Sequence, residues 1–123
     1  NQSSVILINT IVAGNPRGTN CSGAITDGGG NLQHNPHQPT DQSCGSAILQ
    51  GDPKLGPLTD AGGATQTLAL LPGSPALGLG LADSCPSTDQ RGINRKQPHC
   101  DSGAFEYDAN ATTTTPIPLS TSQ

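Results

Sequence analysis

Fourteen charged side chains serve 123 residues, and eight of them fall between 83 and 108. Asp83, Asp89 and Asp101, with Arg91 and Arg95 among them, form the pattern closest to an active site. A polysaccharide hydrolase needs two carboxylates roughly 5–9.5 Å apart across the scissile bond. Asp89 lies in a loop bracketed by Cys85 and Cys100, and Asp101 follows the second cysteine, so the two could approach one another. The same residues also satisfy each other without a substrate. An arginine fork matches a carboxylate in shape and charge and would fix the loop over a core. We therefore assign Asp89, Arg91, Arg95 and Asp101 to a structural cap. A lyase would need a base and calcium-binding carboxylates on exposed strand faces, where this chain carries mostly Thr, Ser and Gln.

The other chemical patterns are weaker. His34, His37 and Asp41, with Cys44 nearby, suggest a metal site, but they lie in a proline-interrupted loop that fixes neither imidazole on a helix face. Ser84, Ser87 and His99 lack the strand-turn-helix context that exposes a nucleophilic serine. Cys85, His99 and Cys100 could bind zinc only through an adjacent His-Cys pair of poor geometry. The run Asp27-Gly-Gly-Gly-Asn31 is followed by no Lys-Ser/Thr and no amphipathic helix, so it reads as a tight bend rather than a phosphate loop. No catalytic residue, cofactor or metal ligand is assigned.

The four cysteines contain no Cys-x-x-Cys pair, which favours disulfides and an extracellular or cell-surface location. A net charge of −4 and a pI near 4.9 argue against nucleic acid or an anionic membrane as partner. No apolar run reaches 18 residues, so no membrane span is expected. Asn1–Ser4 has no basic residue and Val5–Ile8 is too short to be a signal-peptide core. We expect coils to precede this stretch in a longer protein. Sixteen Gly and eleven Pro mean frequent turns, while the few larger aliphatics occur in short clusters. An all-β fold follows, and a solenoid suits it, because a thin column of small residues suffices as its core.

The segments Asp89-Gln-Arg-Gly92 and Cys100-Asp-Ser-Gly-Ala-Phe-Glu-Tyr107 resemble the end of choice-of-anchor Q proteins, which are mostly bacterial surface or secreted proteins. Asn9-Thr-Ile-Val-Ala-Gly-Asn15, Leu58–Thr67 and Leu70–Ala76 are similar to the same family, so the resemblance covers roughly residues 5–107. Ser102 departs from it, standing where the family more often has an aliphatic residue. The resemblance implies a right-handed parallel β-helix, related in fold to pectin lyases. It brings no common ligand or reaction.

The expected elements follow from short β-branched clusters: Val5–Ile8 and Thr10–Val12 with Asn9 at a corner, then Ala24–Thr26, Ala47–Leu49, Thr65–Leu70 and Ala76–Leu81. Residues 51–58 hold two prolines and read as irregular. Phe105 and Tyr107, two apart on an expected strand Ala104–Tyr107, would share one face and plug the core. Four cysteines allow three pairings. In a β-helix, residues one coil apart stack at about 4.8 Å, within disulfide reach. Cys21 and Cys44 are about one coil apart, so we prefer Cys21–Cys44 with Cys85–Cys100. Residues 1–107 are then C-terminal β-helix coils with a stapled cap, and 108–123 is a Thr/Pro-rich disordered linker.

The functional expectation is a non-catalytic structural or binding module of a secreted or cell-surface protein, serving adhesion or carbohydrate recognition. The alternative is the C-terminal part of a polysaccharide lyase or hydrolase whose site lies on coils further upstream.

Overall fold

A computed structural model describes residues 4–108. The linker expected over 108–123 lies, beyond Asp108, outside the described residues. The elements are β1 (Val5–Leu7), β2 (Ile11–Val12), β3 (Ile25–Asp27), β4 (Leu32–Gln33), β5 (Leu49–Gln50), β6 (Leu55–Thr59) and β7 (Thr67–Leu70), then one 3-10 turn, Ala82–Ser84.

The first half of the chain winds so that successive segments pair in parallel. β1 pairs with β3, Val5 opposite Ile25. β2 pairs with β4 and β4 with β5, placing Leu32 between Ile11 and Leu49. Asn9 makes the corner between β1 and β2 with a left-handed backbone, φ +52°. Asparagine tolerates that conformation better than most residues. Its side chain pins the corner: Oδ1 accepts the Leu81 N–H at 2.8 Å and Nδ2 donates to Ser84 O at 3.1 Å. A side chain at Gly30 would collide with the same Asn9 oxygen, so glycine there admits the close approach.

The right-handed parallel β-helix expected from the sequence is not the fold. The described strands are two to five residues long and fall into separate sheets of two or three strands, and the last sheet, β6–β7, is antiparallel. Among the described residues no closed solenoid results. The physical cause lies after Gln50. Gly51-Asp52-Pro53 breaks the winding, and the turn around Gly62-Gly63 folds β7 back on β6 as a hairpin. The prolines of 51–58 do not prevent a strand, contrary to expectation. Pro57 sits where the register shifts between Leu55 and Leu58, a bulge on an edge, where its missing N–H costs no ladder bond. Ala76–Leu81, expected as a strand, is a run of turns.

Leu32, Leu70 and Ala76 form the buried core, with Ile11, Phe105 and Tyr107 packed against it. Full burial of an aliphatic side chain is worth about 1.5–3 kcal/mol, so a core this small needs help from elsewhere. Two disulfides supply part of it. Cys21–Cys44 has its Cα atoms 5.0 Å apart, and Cys85–Cys100 has them 5.9 Å apart.

The C-terminal segment crosses the corner at Asn9. Gly103 N–H donates to Asn9 O at 2.8 Å, Ser102 N–H to Ala76 O at 3.0 Å, and the Ser102 hydroxyl to Gly30 O. The Ser102 hydroxyl thus answers the partly buried Gly30 carbonyl. Residues 104–107 are not a strand. Two of their backbone donors go to carboxylates instead of a ladder, Glu106 N–H to Asp89 at 2.9 Å and Tyr107 N–H to Asp101 at 2.7 Å.

Candidate functional site

The loop after Cys85 is held locally before it meets the rest of the fold. Thr88 and Asn94 form a bridge, Asp89 N–H donates to Ile93 O, and Gly92 N–H donates to Asp89 O. Asp89 closes the turn from inside, its Oδ1 accepting the N–H groups of Arg91 and Ile93 at 2.8 and 3.1 Å. Its Oδ2 accepts from Arg91 Nη2 at 2.7 Å, Arg91 Nε at 3.0 Å and the Glu106 N–H. Burial pushes this carboxyl toward its neutral form. The Glu106 N–H, the Arg91 guanidinium and the turn N–H groups outweigh it and hold its pKa below the usual aspartate value.

Arg95 runs beneath the same segment with its side chain 6% exposed. Nη1 contacts Glu106 Oε1 at 2.9 Å and Asp101 O at 3.1 Å, Nη2 donates to Gly103 O at 2.8 Å, and Nε donates to Thr88 O at 3.3 Å. Glu106 also accepts the N–H groups of Asp101 and Lys96. Asp101 accepts the Gly78 N–H at 2.8 Å on Oδ1 and the Tyr107 N–H on Oδ2, with Lys96 Nζ 3.5 Å away. Arg91 extends over the Phe105 ring, 3.7 Å from its centroid, and Lys96 lies 5.8 Å from that of Tyr107. Carboxylates Asp89, Asp101 and Glu106 therefore meet cations Arg91, Arg95 and Lys96 in one cluster.

The structure thus brings together Asp89, Arg91, Arg95, Asp101, Phe105 and Tyr107. Glu106 was missed by the sequence reading. Its signal was available: three basic residues in the loop, Arg91, Arg95 and Lys96, faced only two assigned carboxylates, and Glu106 stands between the two aromatics, where an extended backbone turns it to the opposite side. Asp83 does not join the cluster and is exposed in the 3-10 turn.

The remaining candidates separate. The Asp41 carboxylate binds the Ser43 N–H, the Asn20 N–H and Asn35 Nδ2, at 2.7–2.8 Å. Hydrogen bonds from the Ser43 side chain, then from Asn35 and the two backbone groups, hold its pKa far below the usual carboxylate range. It anchors the loop beside the Cys21–Cys44 bond. Among the described residues, no group of three or more His, Cys, Asp or Glu could hold a metal ion. His99 Nδ1 lies 3.1 Å from Gly80 O, engaged with a backbone carbonyl rather than with Ser84 or Ser87.

One further surface feature is an open cleft of about 330 Å³ between β2, the β6–β7 hairpin and the cap, lined by Ile11, Leu55, Leu58, Leu68, Leu70 and Phe105 among others. The Thr67 hydroxyl, also in its lining, is buried without a hydrogen-bond partner among the described residues. No lining residue is charged. No helix in the described residues is long and apolar enough to cross a membrane. Comparison of the chain with protein-family models, with curated proteins and with solved structures finds no match in any of the three.

Proposed function

We propose that this chain is a non-catalytic structural or binding module of a secreted or cell-surface protein. The observation that carries the reading is the saturation of its buried carboxylates. Both oxygens of Asp89, Asp101 and Glu106 accept from backbone N–H groups or cationic side chains of the protein itself. A general acid or nucleophile must instead present an oxygen to the substrate. The two closed disulfides fit an oxidising compartment. The likeness of residues 89–107 to the end of choice-of-anchor Q proteins supports a surface role on those residues alone.

The test is a panel of acidic and neutral polysaccharides assayed for reducing ends and for unsaturated products. No turnover is expected from the wild type. Turnover that disappears in Asp89→Asn or Asp101→Asn, with circular dichroism unchanged, would replace this reading with an enzymatic one.

A further inference from the structure

The outer edge of β1 carries none of the devices that usually protect an edge strand. Val5 N–H, Leu7 O and Asn9 N–H all bond toward the β3 side of the ladder. In a parallel ladder the alternate residues point the other way, so Ile6 and its neighbours Ser4 and Ile8 direct their peptide groups outward, the Ile8 carbonyl using one lone pair to accept the Thr10 hydroxyl at 2.9 Å. Val5, Ile6 and Ile8 are 50%, 62% and 43% exposed. Edge strands ordinarily carry a charge, a proline or a bulge that blocks pairing with another chain. β6 has such a device in Pro57 and its register shift, and β3 ends in Asp27. Residues 1–15 contain no charged residue and no proline.

We propose that the β1 edge pairs with the β1 edge of a second copy of this chain, antiparallel, about a two-fold axis beside Ile6. In a two-fold interface each patch meets itself, so a charged edge would oppose its own charge, whereas this one is self-complementary. Ile6 then exchanges N–H···O=C bonds with Ile6 of the second copy, and Ser4 comes opposite Ile8 on either side. Val5, Ile6 and Ile8 gain cover they lack in the single chain. A stable interface buries about 1,600 Å² in all. So short an edge covers less, and the pair is accordingly weak and concentration-dependent.

Sedimentation equilibrium on the full chain, from micromolar to hundreds of micromolar, tests this with disulfides intact. The expected result is a shift from the 12.4 kDa chain mass toward twice that value. Ile6→Val keeps the pairing. Ile6→Lys, at an exposed position, sets two ammonium groups against each other in place of two buried isoleucines and weakens association by about 100-fold or more. Amide exchange at Ile6 should slow with concentration in the wild type and stay fast in Ile6→Lys. A wild type that stays monomeric throughout overturns the proposal, whether or not the variants fold. So does open-ended growth beyond two chains, or a dimer that Ile6→Lys leaves intact.

Discussion

Replacing Arg95 by alanine tests the cap most directly. The substitution removes the donors that reach Thr88 O, Asp101 O, Gly103 O and Glu106 Oε1. Glu106, its side chain 2% exposed, is left with its charge but without its arginine. Breaking a buried pair by removing one partner costs about 3–5 kcal/mol, a large share of the roughly 5–15 kcal/mol that holds a domain folded. Arg95→Lys keeps the charge but loses the planar fork across three carbonyls, and should cost about 1.5–3 kcal/mol, the worth of one charged hydrogen bond. The chain has one tyrosine and no tryptophan. Tyrosine fluorescence during urea unfolding therefore reports Tyr107, inside the cap, while far-ultraviolet dichroism reports the strands. The decisive variant is Arg95→Ala/Glu106→Gln. Removing the orphaned charge should recover part of the loss, so the double mutant is less destabilised than the sum of the singles. An Arg95→Ala cost below about 1 kcal/mol, within the range of exposed ion pairs, or strict additivity of the two changes, would refute the account of a buried coupled cluster.

Two further outcomes follow from the same geometry. Asp89 and Asp41 are both held below the unfolded aspartate pKa of about 3.9, so the unfolded chain binds more protons below that pH. Their stabilisation is complete above it and drains away as the solution is acidified through and below it; urea midpoints should fall from pH 5 to pH 3, and Asp41→Asn should flatten that slope, whereas stability rising on acidification would contradict the assignments. Cys85→Ser/Cys100→Ser should cost about 3 kcal/mol by the chain-entropy model for a 15-residue loop and speed amide exchange across 86–107 while leaving the neighbourhood of Cys21 and Cys44 unchanged, and unreduced peptide maps of the wild type should contain the 85–100 and 21–44 cross-links.

How legible the fold was depended on the range of the interactions. Val5–Leu7 and Ile11–Val12 were readable because β-branched residues favour a pleated backbone locally, and Asn9 between them could take a left-handed φ. The pairing of Cys85 with Cys100 needed only a short polar loop between them. The antiparallel β6–β7 hairpin was hidden because Pro57 suggested a break, and only pairing with β7 shows that it occupies a bulge. Ala104–Tyr107 misled in the opposite way. Its alternation is that of a strand, yet the N–H groups of Glu106 and Tyr107 are taken by Asp89 and Asp101, residues whose approach depends on the whole loop. The expected β-helix failed for the same reason: the parallel stacking of residues 5–50 joins partners as far apart in sequence as Val5 and Ile25, and its continuation depends on the segments that follow.

The cap also explains why a turn-rich chain with little apolar material can bury so much charge. Asp89, Asp101 and Glu106 are matched by Arg91, Arg95 and the half-exposed Lys96, so the cluster as a whole carries no net charge. Each carboxylate accepts backbone N–H groups from a different stretch of chain. Asp89 takes its own turn and Glu106, Asp101 takes Gly78 and Tyr107, and Glu106 takes Lys96 and Asp101. A buried polar cluster stabilises only when every member is satisfied, because a half-satisfied one keeps the desolvation cost without its return. Docking the loop alone, or the segment 101–107 alone, leaves carboxylates unpaired, so the two must close together. The Cys85–Cys100 bond joins the loop to that segment before either is docked and lowers the entropy cost of closing them as one unit. Charges that resemble an active site in the sequence are in this fold the means by which two polar loops are made to choose a single arrangement.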